Sequence, residues 1–221
     1  VEGVYMSTRP AELSSGACFS FYATKNLTCG EGGCFVTNDD ELAERVRLLR
    51  SHGVDKTAYD RYNEGYSHWK LRANGWKYNL DNLHASILLP QLPLITTKLA
   101  TREKAALYYE SALSAIPEVT LIKPLSNTIH ARHLFPIVVP TKMRDSLISY
   151  LQSRSIGTVV NYRSLNNYQT IMTASNTSLS SFEQASLHGD SCLSLPFYPG
   201  ISSQQQEYVV LAISKFFEAN R

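Results

Sequence analysis

The chain has 221 residues, 43% of them hydrophobic and 18% charged, with a formal net charge of +2 from 21 basic and 19 acidic side chains. That is enough chain to bury a real core as one large domain or two small ones, and without a basic stripe it does not suit an electrostatic nucleic-acid binder. The longest apolar run, Ile87 to Ile95, is interrupted by Pro90, Gln91 and Pro93 and is too short to cross a bilayer.

In chain order, Val1 to Tyr5 opens without a methionine and without a recognisable starting element, which reads as the middle of a longer fold. Ala17 to Tyr22 alternates in the manner of a strand, and Gly33 to Thr37 reads as a second strand. Between them, Ala23 to Gly32 forms a loop with glycines where unusual backbone angles are needed, so Lys25 is presented on a turn between two strands. A helix follows, capped by Asn38 or Asp39, with Leu42, Val46 and Leu49 on one face and Gly53 at its end. Residues 54 to 76 are polar and aromatic with weak periodicity. Tyr59, Tyr62, Tyr66, Trp69 and Trp76 gather there, as in a long functional loop rather than a linker.

Asn82 to Leu89 starts another helix, which Pro90 and Pro93 break or restart. Thr101 to Ile116 is expected to be a long amphipathic helix joining two domains, with Ala105, Tyr108, Tyr109 and Leu113 inward. Strands are expected at His133 to Val139, Thr158 to Val160 and Cys192 to Leu195. A helix is expected at Arg144 to Arg154, ended by Gly157. Residues 173 to 181 are rich in Ser, Thr and Asn and suit a mobile loop. Ser202 opens the last helix with Gln205 in capping-box position, and Val209, Ala212, Ile213 and Phe216 face its core. The second half is therefore a small α/β domain, with the division expected at residues 1–100 and 101–221.

Four cysteines, Cys18, Cys29, Cys34 and Cys192, fit no zinc spacing. Cys18 and Cys34 sit in apolar strand runs and read as small buried hydrophobes. No basic-then-apolar leader opens the sequence, so a reducing cytoplasm is the expectation. Lys25 is flanked by the hydroxyls of Ser20, Thr24 and Thr28 and by Gly30, Gly32 and Gly33. Hydroxyls and exposed backbone N–H groups are what a phosphate needs. An amine beside them could form an imine with a phosphorylated aldehyde. A lone lysine is more often a solvated surface charge.

The string Phe19-Ser-Phe-Tyr-Ala-Thr-Lys-Asn-Leu-Thr-Cys-Gly-Glu-Gly-Gly33 resembles the signature of the DegT/DnrJ/EryC1/StrS aminotransferases. Arg47 to Gly53, Gly75-Trp-Lys-Tyr-Asn79 with the residues to Leu92, Val159 to Arg163 and Ser194 to Pro199 are similar to further family segments, so the resemblance covers nearly the whole chain. It implies an α/β, aspartate aminotransferase-like fold of type I. The large pyridoxal phosphate (PLP) domain would be incomplete and followed by a small C-terminal α/β domain. It implies that Lys25 is the catalytic residue, joined covalently to PLP, that Ser20 touches the cofactor phosphate, and that Asn79 reaches the phosphate of a partner subunit in a homodimer. The activity implied is transamination of a nucleotide-linked keto-sugar, with glutamate as donor, for amino-sugar or polysaccharide biosynthesis. The family's dehydratases carry histidine at the lysine position, and Gly-Trp-Lys-Tyr-Asn leans towards 4-amination.

The same resemblance places the aspartate that holds the pyridine nitrogen, and the aromatic that stacks on the ring, before Val1, so this would be a truncated form with an exposed apolar face and strand edge. The alternative is a remnant without catalysis, or an interaction domain of the same fold. Two departures stand out: Arg132 lies where an aromatic is common, and the loop before Gly75 is longer.

Overall fold

The computed structural model describes residues 3–56, 58–63, 68–168, 170, 171, 173 and 182–221. Among them the chain forms β1 (Val4–Tyr5), β2 (Ala17–Ser20), β3 (Gly33–Val36), α1 (Asp40–Leu49), α2 (Ala58–Asn63), α3 (Asn82–Leu88) and α4 (Ile95–Leu113). It continues with β4 (Thr120–Leu121), β5 (Thr128–Ile129), β6 (Pro136–Val138), α5 (Thr141–Ser153), α6 (Glu183–Ser191), β7 (Cys192–Ser194) and α7 (Ser203–Glu218). Two compact units result: Val1–Ile95 with Ser126–Ala131, and Thr96–Leu125 with Arg132–Arg221. None of the described helices is long and apolar enough to cross a membrane.

The first unit is built on the antiparallel hairpin of β2 and β3, in which Cys18 faces Phe35 and Phe19 faces Cys34. A second small sheet pairs β1 with β5. Asp39 caps α1 by accepting from the Leu42 N–H at 2.9 Å, and Asp40 and Glu41 lie in its positive first turn. Leu42, Val46 and Leu49 share a face as expected, yet none is fully buried. Past α1 the chain turns at His52 and Gly53, both at positive φ.

The 54–76 stretch is not a structureless loop. Val54 bridges Leu71, and Asp55 closes the base of the excursion, accepting from the Lys70 N–H at 2.8 Å and from Arg72 Nε at 2.9 Å. α2 lies within it, while Tyr66 lies outside the described residues. Asp81 caps α3 through the His84 N–H. Pro90 and Pro93 do not stop the chain there: they tighten Leu89–Leu94 into a 3-10 helix that runs directly into α4. The long helix therefore starts six residues earlier than expected.

The second unit is a three-stranded antiparallel sheet in the order β4, β6, β7, covered by α4, α5 and α7. Its core contains Tyr109, Leu113, Ile137, Leu147, Leu151, Leu193, Ile213 and Phe217, each almost wholly buried. Ser202 and Gln205 form the expected capping box of α7. The strand expected at Thr158 to Val160 reduces to one bridge, Val159 with Ser194. Ser155, at φ 59°, turns the chain after α5, well before Gly157, and its N–H reaches the Gln152 carbonyl at 2.9 Å. Most of the 173–181 stretch lies outside the described residues.

Arg132 explains its own departure from the family pattern. It sits at positive φ, is 6% exposed, and donates to Glu103 at 2.7 and 2.9 Å and to Glu110 at 2.8 Å. An aromatic there could not hold both carboxylates of α4.

Candidate active site

The loop between β2 and β3 is held from beneath. Phe21, Leu27 and Cys29 are buried and pack with Leu88 of α3. The Phe21 carbonyl accepts from the Cys29 N–H at 3.0 Å and from the Thr28 hydroxyl at 3.0 Å, while the Phe21 N–H donates to Gly32 at 2.8 Å. Lys25 closes the turn at the tip, its N–H donating to the Tyr22 carbonyl at 2.9 Å. With Leu27 drawn inward, Lys25 stays half-buried, and its ammonium makes no ion pair among the described residues.

The hydroxyls around Lys25 are not equivalent. Thr28 is used internally, since its oxygen also accepts from the Gly30 N–H at 3.0 Å, so neither group serves a phosphate. Ser20 is exposed, and among the described residues its oxygen accepts only the Tyr22 N–H, at 3.3 Å. Its own proton is left for another acceptor.

Two side chains that the sequence did not single out fix the loop. Gln91 Nε2 donates to the Thr28 carbonyl at 2.7 Å and to Ile87 at 2.8 Å. Asn26 Nδ2 donates to the Ala131 carbonyl at 2.8 Å, tying the loop to the end of the Ser126–Ala131 return. Gln91 lies between two prolines, where a helix break hides any such role.

Asn79 is reached by another route. Two segments far apart in sequence, the end of α1 and the stretch from Gly75, run side by side. Trp76 N–H donates to Leu49 at 2.7 Å, His52 N–H to Trp76 at 2.8 Å, and Tyr78 N–H to Arg50 at 2.8 Å. The backbones touch: a Cβ on Gly53 would stand 1.8 Å from the Ala73 oxygen, and one on Gly75 2.2 Å from the Gly53 nitrogen. Only glycine fits at either position. Trp76 and Tyr78 stack in parallel with centroids 6.0 Å apart. Asn79 is exposed, and its carbonyl oxygen accepts from Lys77 Nζ, which leaves the amide N–H groups to point elsewhere.

Cys18 and Cys34 are exposed, contrary to the sequence expectation, whereas Cys29 and Cys192 are buried. The strands are apolar, but β2 and β3 have no further neighbour strand among the described residues, so an apolar run does not mean a filled core here. The two thiols line an open groove of about 740 Å³ that also involves α1, Tyr78 and Leu80.

The model of the DegT/DnrJ/EryC1/StrS aminotransferase family matches residues 4–214. The chain belongs to that family. Among solved structures, DesV of S. venezuelae in complex with a ketimine intermediate is 30% identical with a TM-score of 0.85, and the match covers 98% of this chain and 55% of that one. Helicobacter pylori PseC, an aminotransferase involved in the biosynthesis of pseudoaminic acid, is 27% identical with a TM-score of 0.88, covering 98% and 57%. A sugar aminotransferase of Streptococcus pneumoniae in its PMP form shares the fold at 21% identity and TM-score 0.88, covering 98% and 56%. The chain thus has the α/β fold of the PLP-dependent sugar aminotransferases, and it spans little more than half the length of these solved structures.

Proposed function

We propose that this chain supplies the cofactor lysine and two phosphate contacts of a PLP-dependent aminotransferase acting on nucleotide-linked keto-sugars. The observation that carries the reading is the build of the lysine loop. Seven hydrogen bonds and a buried Leu27 hold a turn whose tip presents one half-buried ammonium without an ion-pair partner among the described residues. A solvated surface lysine needs no such support.

The residues present suit the cofactor. Lys25 offers the amine, Ser20 a hydroxyl whose proton is uncommitted, and Asn79 an uncommitted amide donor. Asn79 serves the phosphate of a second copy, which makes the working form a homodimer. PLP, when bound, supplies the electron sink that stabilises negative charge at the donor's α-carbon. Lys25 Nζ, as the free amine, takes the proton from that carbon and delivers it to the other side of the transfer. Glutamate is the donor, and the Gly75-Trp-Lys-Tyr-Asn79 pattern leans towards C4 rather than C3 of the sugar as the carbon that takes the amine. Four free thiols accord with a reducing compartment. Residues 1–100 act as the remaining part of the large PLP domain and 101–221 as the small domain.

The test is amino transfer from glutamate to a panel of 3-keto and 4-keto sugar nucleotides, with PLP added. The expected result is PLP-dependent formation of 2-oxoglutarate that is lost in Lys25→Ala. Equal rates in the two proteins would overturn the reading.

A further inference from the structure

The lysine loop is shaped by its own bonds and placed by others. The Phe21 carbonyl takes the Thr28 hydroxyl and the Cys29 N–H, the Phe21 N–H reaches Gly32, and the Lys25 N–H reaches Tyr22. These bonds all run within residues 21–32. They set the curve of the turn, and they would travel with it if the turn tilted or slid. Asn26 and Gln91 are different, because they tie the loop to distant parts of the same unit. Asn26 Nδ2 donates to the Ala131 carbonyl at 2.8 Å. Gln91 meets the loop at Thr28, three residues past the lysine.

The Gln91 amide faces the Thr28 peptide in both directions. Its Nε2 donates to the Thr28 carbonyl at 2.7 Å, and its Oε1 accepts the Thr28 N–H at the longer distance of 3.5 Å. Nε2 also donates to the Ile87 carbonyl at 2.8 Å, one turn back on the helical run that carries Gln91. A side-chain amide can donate and accept at once, as a peptide group does. Gln91 is half-buried and rides on the 3-10 stretch Leu89–Leu94, where Pro90, with its fixed φ, stiffens the backbone just before it. The packing of Leu27 on Leu88 cannot replace this pairing. Apolar contact is non-directional, so it holds the loop down without fixing where along the surface it lies.

We propose that Gln91 is a positioning residue for Lys25: by pairing with the Thr28 peptide it fixes where the tip of the loop stands, and with it the Lys25 amine. It touches no reacting atom. The consequence for chemistry rests on the reading of Lys25 as the cofactor lysine. An amine displaced by about 1 Å from its target can lose on the order of a hundredfold in rate. Gln91 therefore governs how fast Lys25 reacts, and not how tightly the phosphate is held, since Ser20 and Asn79 lie outside the pairing.

Two variants test this in the whole chain. Gln91→Met keeps the length of the side chain and loses the amide, and Gln91→Glu keeps an acceptor oxygen but sets a carboxylate against the Thr28 carbonyl. Each is mixed with PLP over a range of concentrations and quenched with borohydride at intervals, and the phosphopyridoxyl peptide carrying Lys25 is quantified. The limiting rate at saturating PLP should fall roughly tenfold in both variants, with the half-saturating concentration unchanged. A limiting rate equal to that of the parent chain would overturn the proposal. So would a comparable rise in the half-saturating concentration, which general loosening of the unit would bring. A second arm uses no cofactor. Reductive methylation with formaldehyde is mapped by peptide, with the exposed Lys70, Lys104 and Lys142 as references. Half-buried Lys25 should react more slowly than these in the parent chain and gain on them roughly threefold in both variants as the loop is freed. Unchanged methylation of Lys25 would also overturn the proposal. Altered methylation, with no reaction of PLP at Lys25 even in the parent chain, would sink the cofactor reading and leave the Gln91 tie standing.

Discussion

At the tip of the β2–β3 loop, Leu27 is 5% exposed while Lys25, two residues earlier, is only half-buried. That division of one turn into an anchor and a presented amine is the residue-scale basis of the account. Ser20 is the next most exacting position. If its hydroxyl holds a phosphate, Ser20→Ala removes one hydrogen bond to a charged group, worth about 2 kcal/mol, and weakens PLP binding roughly thirtyfold in a fluorescence titration. Thr28→Ala would act differently. Its hydroxyl serves the loop, so the loss appears first as lower stability, with cofactor affinity following. Arg132 is a structural counterpart. Its guanidinium is buried against Glu103 and Glu110, whose carboxylates are partly exposed. Arg132→Ala should therefore cost about 2 kcal/mol, less than a fully buried pair would, read as a fall in the urea midpoint of the second unit.

Elements show where the sequence was legible and where it was not. Helices with a cap and a clean apolar face appeared as expected: Asp39 begins α1, and Ser202 with Gln205 begins α7. The start of α4 did not, because Pro90 and Pro93 look like helix stops and instead sit in a 3-10 turn whose backbone tolerates them. Lys25 could be singled out because the contiguous string from Phe19 to Gly33 resembles the family signature, whereas its loop chemistry alone left it a surface charge more often than not. The alignment of α1's end with the stretch from Gly75 could not, because it depends on two glycines whose partner is far along the chain. Gly53→Ala would force a Cβ into the Ala73 carbonyl in addition to its positive φ. It should lower stability by at least about 2 kcal/mol, seen as an earlier thermal transition. The base of the 55–70 excursion is sensitive to acid. The Lys70 N–H, and after it Arg72, hold the Asp55 carboxyl below its ordinary range. A depressed carboxyl stabilises the fold above its unfolded value and loses that contribution as pH falls through its folded one. The protection of the Lys70 amide, corrected for the intrinsic pH dependence of exchange, should hold at neutral pH and fall as acid protonates Asp55 at its depressed folded value.

Over the whole molecule, apolar composition correctly announced a core but not its placement. Cys18 and Cys34 were expected inside because their strands are apolar. They lie outside because β2 and β3 pair only with each other among the described residues, and the presence of further strand neighbours has no local signal in sequence. The uneven cores predict uneven stability, with amides of β6, α5 and α7 exchanging most slowly and those of β2 and β3 earlier. The central claim concerns one amine in this frame. Incubation of the chain with PLP, reduction with borohydride and peptide mapping by mass spectrometry tests it most directly, with Lys25→Ala alongside. The account predicts a phosphopyridoxyl group on the peptide carrying Lys25 and none in the variant. Label scattered over surface lysines, and unchanged in Lys25→Ala, would contradict it.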